Sequence, residues 1–205
     1  MADIEVFRRH IIEAGVLDPT GVHHEFAQGL HGRKLDFDLI FTNSPLYSEW
    51  IDAAADFMGV AYPRLPEIII GVANGTNRVA LDVARKFDGK VFGAVSEKDE
   101  QNSKVLRLSA TAGKLITALK PEFVVVLEDV GTTGSNSVQV ANASLTAGAR
   151  AVEVVTTWQR RPRLERLVES SIPYRAIINE ALATYTSQEC QASGFCSDNW
   201  QFIPR

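Results

Sequence analysis

Three short, nearly continuous apolar runs constrain this chain more than any other feature: EIIIGVA (Glu67 to Ala73), FVVVLED (Phe123 to Asp129) and RAVEVVTTW (Arg150 to Trp158). A strand with one face on a core and the other in water alternates apolar and polar residues. Unbroken Val and Ile instead need cover on both faces. Two segments with helical apolar spacing, NRVALDVARKF and SVQVANASLTAGA, follow the first two runs, and KVFGAV adds a further strand. Strands alternating with helices predict an α/β fold with a doubly wound, mostly parallel sheet flanked by helices. In such sheets the ligand crevice opens off the carboxyl ends of the strands.

At 205 residues a single domain, 1–205, is expected, since domains commonly run about 100–200 residues. An amphipathic first helix is predicted from Asp3 to Ala14, with Ile4, Phe7, Ile11 and Ala14 on one face. Ser44 and Pro45 offer an N-cap and N1 pair for a helix to about Met58. Between them, Val16 to Asp38 is irregular, with Gly21, Gly29 and Gly32 among His, Arg and Lys. The first half of SEKDEQNSKVLRLS (Ser96 to Ser109) is too polar to bury and reads as a mobile hairpin or loop.

Hydrophobic content of 45% and charged content of 22% are ordinary globular usage. No apolar run approaches the roughly 18–20 residues of a membrane span, and MADIEVFRRHIIEAG is too charged for a secretory signal. A cytoplasmic protein is expected. A net charge of -4 argues against a nucleic-acid footprint. The two cysteines, Cys190 and Cys196, make no disulfide framework and supply half of the four ligands a structural zinc takes. Trp50, Trp158 and Trp200 read as core or interface residues rather than a base-stacking platform.

The most informative stretch is VVVLEDVGTTGSNS, Val124 to Ser137. It puts Glu128 and Asp129 at the end of a buried strand and follows them with a small-residue turn that opens a helix. Small residues let consecutive backbone N–H groups curl around an anion, and the helix N-terminus adds partial positive charge. The carboxylates can accept hydrogen bonds from vicinal hydroxyls, directly or through a divalent cation. Together these suit a ribose 5-phosphate. The plainer alternative is a strand-to-helix turn with solvated acids and a capping Ser or Asn. Neither a Walker A loop nor a G-x-G-x-x-G fingerprint occurs.

VVVLEDVGTTGSN resembles the 5-phosphoribosyl-1-pyrophosphate (PRPP) signature of the type I phosphoribosyltransferases, and IIIGVANGTNRVALDVA resembles their pyrophosphate turn. The orotate-using branch is the most similar. FAQGLHGRKLDFD resembles its S-G-x-H-S segment, SEKDEQNSKVLRL the E-K…L-R-R form of its catalytic loop, and YTSQECQASGFCSDNWQFIPR a Y-x-x-x-x-C-P-x-C…P-G tail. The likeness runs from about Gly15 to the C-terminus. It implies a core with a small hood built from segments 16–43 and 181–205.

The resemblance further implies transfer of ribose 5-phosphate from PRPP to a nucleobase, orotate favoured, with Mg²⁺ as cofactor. It also implies a homodimer in which the loop reaches the neighbour's site. Residue by residue, it gives Gly131, Thr132, Thr133, Gly134, Ser135 and Asn136 to the 5′-phosphate. Ala73, Asn74, Gly75, Lys98 and Arg107 go to pyrophosphate. Lys98, Glu128 and Asp129 go to catalysis, the two acids being possible contacts for Mg²⁺. Arg160 and His31 go to the base. The chain departs from the pattern in several places. Ser135 and Asn136 stand where a second Gly and a Ser or Thr are usual, and Glu100 and Gln101 follow Lys98 and Asp99 where K-D-H-G is common. Leu108 replaces a second Arg, Gln159-Arg160 stands for D-R, and C-x-x-C has become Cys190-x5-Cys196. A solvated helix start remains open for Arg160 and Arg161, and a structural role for His31. A purine or other base as acceptor, and a non-catalytic PRPP or nucleotide sensor, are the competing functions.

Overall fold

The computed structural model describes residues 3–20, 23–25, 30–73 and 75–192. Its elements begin with helix α1 (Ile4–Glu13), strands β1 (His24–Glu25) and β2 (Leu30–Gly32), a 3-10 turn over Phe37–Thr42 and helix α2 (Ser44–Ala61). The central alternation follows: β3 (Ile68–Gly71), α3 (Asn77–Arg85), β4 (Phe92–Lys98), β5 (Leu106–Leu108), α4 (Ala110–Leu119), β6 (Val124–Gly131), α5 (Ser135–Ala147) and β7 (Val152–Gln159). The described residues close with α6 (Glu165–Glu169), β8 (Tyr174–Ile178), β9 (Thr184–Thr186) and α7 (Ser187–Ala192).

The apolar runs form the middle of a six-stranded sheet in the order β5-β4-β3-β6-β7-β8. All neighbours are parallel except β5, which runs antiparallel to β4. Side chains alternate between two cores, as the two-residue period requires. Ile69, Val125, Leu127 and Val155 join α1, α2 and α3 on one face. Ile68, Ile70, Val124, Val126 and Val154 join α4, α5 and α6 on the other. Burying both faces is what makes these strands unbroken in Val and Ile. A separate antiparallel sheet, β1-β2-β9, ties the early segment to the tail, with His31 opposite Tyr185. Trp50 and Trp158 are fully buried, their indole N–H groups donating to Thr157 Oγ1 and the Glu180 carbonyl. Among the described residues no helix is long and apolar enough to cross a membrane.

Several boundaries differ from the sequence reading. The cap of α2 is Asn43, whose side chain accepts the Leu46 N–H at 3.2 Å, and Ser44 lies inside the helix. Asn43 holds the extended backbone of a cap (φ -117, ψ 90), which aims its amide at the orphan donors. Strand β4 continues through Lys98 because β5 supplies a partner for Ser96 to Lys98. Strand β6 likewise continues past its two acids, pairing Val130 with Trp158 and Gly131 with Gln159. Helix α4, capped by Ser109 on the Ala112 N–H, and the edge strand β8 were not anticipated.

Candidate active site

The two acids sit inside β6, so the pleat sends them to opposite faces. Glu128 continues the Val124–Val126 row toward α5, where the fully buried Ser137 hydroxyl donates to its Oε2. Only 7% of Glu128 is exposed, and burial pushes its carboxyl up to about 8, with Ser137 opposing the shift and Asp129 adding to it. Asp129 continues the Val125–Leu127 row toward α3. Its Oδ1 accepts the Val130 N–H at 2.7 Å, and burial raises its pKa against that bond, with Asp38 adding negative charge. Gly75 lies directly against Asp129: a Cβ there would come within 2.6 Å of Oδ2. A side chain at position 75 would therefore separate the turn from the carboxylate.

The turn after β6 is short. Gly134 takes the left-handed conformation (φ 79) and α5 starts without a side-chain cap. Thr133 and Ser135 pair their hydroxyls at 2.8 Å, and the Thr133 carbonyl is taken by the Arg166 N–H. Among the described residues, the backbone N–H groups of Thr132, Thr133, Gly134 and Asn136 have no protein acceptor. They form a ready anion cradle at the positive end of a helix 13 residues long. Ser135 and Asn136 belong to the first turn of α5 rather than to a loop, and the Ser135 N–H is directed to Thr133 Oγ1 at 3.4 Å.

The turn between β3 and α3 is more tightly bound. Ser96, buried on β4, accepts the Ala73 N–H at 2.8 Å and donates to the Gly71 carbonyl at 2.8 Å. Thr76 donates to the Leu127 carbonyl at 2.5 Å and accepts the Val72 N–H at 2.9 Å. The Ala73 donor is thus engaged by the fold, while the Gly75 N–H has no acceptor among the described residues. Asn74 lies outside them.

Lys98 ends β4 and is exposed, with no acidic partner among the described residues. Arg107 stands across the hairpin and is held there, 3.1 Å from Glu97 and 3.4 Å from Asp99. Asp99 also accepts the Gln101 and Asn102 N–H groups, so the polar half of this segment folds into a defined turn.

Arg160 and His31, remote in sequence, both act on His23. Arg160 is 3% exposed; its backbone N–H donates to the Gly131 carbonyl, next to the phosphate turn, and its Nη2 donates to the Arg33 carbonyl at 2.5 Å. Burial lowers its pKa to about 10, so it stays cationic at neutral pH. It is not the solvated helix start left open above; Arg161 takes the rim and pairs with Glu165. His31 is buried on β2 with Nε2 2.8 Å from Ser187 Oγ. Burial holds the nearby His23 below its ordinary pKa, and His31, Arg160, Arg33 and His24 push in the same direction. Arg160 and Arg33 thus share a cluster with His23, His24 and His31.

Among the described residues no group of three or more His, Cys, Asp or Glu is placed to hold a metal. Mg²⁺ needs no such cage when a substrate brings phosphates, because one or two carboxylates and water complete its shell. Asp129, half-buried at the mouth beside Gly75, fits that pattern better than the enclosed Glu128. Cys190 is buried and 3.3 Å from His23 Nδ1. Cys196 and Trp200 lie outside the described residues. The sequence reading gave no role to Ser96, Asn77, Gln139 and Asp38, which lie within segments it quoted but which only the packing brings to the site.

The fold, a mostly parallel sheet flanked by helices, is similar to that of solved phosphoribosyltransferases. Solved structures agree on the fold. The orotate phosphoribosyltransferase of Aeropyrum pernix superposes with a TM-score of 0.62 at 16% identity, covering 84% of this chain and 93% of that one. The adenine phosphoribosyltransferase of Saccharomyces cerevisiae gives 0.63 at 15%, covering 85% and 99%. By sequence, the chain is similar to orotate phosphoribosyltransferases. That of Heliobacterium modesticaldum is 27% identical over 172 residues, 82% of each chain. That of Caldanaerobacter subterraneus is 27% identical over 124 residues, 60% of this chain and 59% of the relative. No family model matches.

Proposed function

We propose that this protein is an orotate phosphoribosyltransferase, forming orotidine 5′-monophosphate and pyrophosphate from orotate and PRPP. The observation that carries the reading is the adjacency of three features: the uncapped α5 turn, Asp129 against Gly75, and buried Arg160 bonded to Gly131. A 5′-phosphate, a ribose with its leaving group, and a carboxylated base would meet these in that order.

Glycosyl transfer of this kind develops positive charge on the sugar ring and negative charge on the leaving group, so the protein must stabilise charge and exclude water. The backbone donors from Thr132 to Asn136 hold the phosphate. Asp129 orients the ribose hydroxyls and stabilises the cationic ring, and Glu128 supports it from beneath. The Gly75 N–H is offered to the pyrophosphate, and Lys98 brings a cation to it from the hairpin. Mg²⁺ held by PRPP and Asp129 would neutralise part of the leaving group's charge. Arg160 offers a planar fork to the orotate carboxylate, with His31 beside it. Orotate's ring nitrogen is acidic enough to need no strong general base. The β1-β2-β9 sheet acts as the hood, and the working unit is a cytoplasmic homodimer whose hairpin tip extends to the neighbouring site.

The deciding experiment is pyrophosphate release from PRPP and Mg²⁺ with orotate, with uracil, adenine, hypoxanthine, guanine and xanthine as parallel acceptors. Release with orotate alone is expected. Release with a purine instead would move the base assignment while leaving the PRPP site. Tight PRPP binding with no release would favour a sensor, a reading to which the pairing of Arg107 with its own hairpin acids lends some support.

A further inference from the structure

The hairpin that carries Lys98 is a short element, and two-stranded hairpins are marginal on their own. Its second strand has three residues and, among the described residues, only β4 for a neighbour. Two carboxamides from elsewhere in the fold hold it. On β5, Gln139 accepts the Leu106 N–H at 2.9 Å and donates to the Lys104 carbonyl at 3.3 Å. The same nitrogen lies 3.2 Å from the Ser135 carbonyl, at the first residue of α5. On β4, Asn77 accepts the Ser96 N–H at 3.1 Å and donates to the Ser96 carbonyl at 2.8 Å, bonding both main-chain groups as a neighbouring strand would.

Both amides grow from the starts of helices that follow the two anion turns: Asn77 is the first residue of α3, and Gln139 lies just past the first turn of α5. Ser96 and Lys98 share a face of β4. Since Ser96 touches the Gly71–Ala73 turn, Lys98 is the next side chain along that face toward the crevice. We propose that Gln139 and Asn77 are positioning residues that fix the base of the hairpin and so aim Lys98. The proposal rests on the transferase reading, and its test includes a measurement that needs no turnover.

Amide hydrogen exchange of the full chain, wild type against Gln139→Ala, reads the anchor directly. Exchange at Leu106 and its hairpin neighbours should rise roughly tenfold, the scale of one lost hydrogen bond, while β3 and β6 amides stay as they were. Unchanged exchange would overturn the anchor. Steady-state kinetics then test the aim: kcat should fall roughly tenfold with the KM for PRPP within about twofold. In a Lys98→Ala background the same substitution should cost less than about twofold, because a residue acting through Lys98 has nothing left to position. An equal loss in both backgrounds would reduce Gln139 to a structural contact. Asn77→Ala should behave in the same way through Ser96. If Gln139→Ala does not fold, Gln139→Glu keeps the acceptor for Leu106, loses both donations and replaces it. A wild type without transferase activity would defeat the functional reading, and the exchange data would still decide the anchor.

Discussion

At Arg160 a full positive charge is kept inside the protein, 3% exposed and cationic at neutral pH despite burial. Its Nη2 already donates to the Arg33 carbonyl, and the proposed reading adds an anionic base as its ligand. Arg160→Ala should raise the KM for orotate roughly 10- to 150-fold, the range for hydrogen bonds to a charged group, with PRPP affinity nearly unchanged. Unaltered orotate affinity would refute the assignment. Glu128 poses the opposite problem. Its folded pKa of about 8 lies above the unfolded value of about 4.3, so between them the native state holds more protons than the unfolded one. Its contribution to stability is therefore greatest at acid pH and falls as pH rises through that window. Urea titrations of the free protein should show this decline, and Glu128→Gln should flatten it. A slope unchanged by that substitution would mean that Glu128 ionises normally.

Two turns depend on the absence of a side chain. At Gly71 a Cβ would meet the Thr76 carbonyl oxygen at 2.4 Å and the Asn77 Cα at 2.5 Å, both backbone, so the α3 start cannot yield locally. At Gly134 the backbone is left-handed and a Cβ would press on Leu167 at 2.7 Å. Gly71→Ala should cost about 1–3 kcal/mol, as overpacking does. Gly134→Ala should cost a similar amount, combining about 1 kcal/mol of left-handed strain with the clash against α6. The consequences should differ, the first weakening pyrophosphate binding and the second phosphate binding. Chemical denaturation together with isothermal titration using each anion would separate them. Stability losses below about 0.5 kcal/mol at both positions would mean the turns relax.

As a whole the molecule lines its candidate site residues along the carboxyl edge of the sheet, from the β4-β5 hairpin past the turns after β3 and β6 to Arg160 after β7. The proposed homodimer should appear in light scattering at working concentration as twice the chain mass, and a monomer would remove that claim. Much of this was legible in one dimension. Unbroken Val and Ile runs alternating with helical segments specify a parallel sheet covered on both faces, because burial of both faces is written into every residue of such a strand. The acid pair followed by small residues was legible too, since a strand end, an acid and an uncapped helix start are contiguous in the chain. Other features depended on pairing between distant segments. Whether Glu128 and Asp129 share a face was decided by how far β7 extends β6. That Arg160 is buried against the Arg33 carbonyl was decided by how the segment after β2 meets the end of β7. That Ala73 spends its N–H on Ser96, and that Gln139 and Asn77 grip the hairpin, follows from contacts between separate elements. The sequence by itself determined the layered architecture and the chemistry available at each turn, because local period and composition govern those. Only the tertiary structure decided which donors stay free, which charges are buried and which hairpin is held, because those depend on what packs against each group.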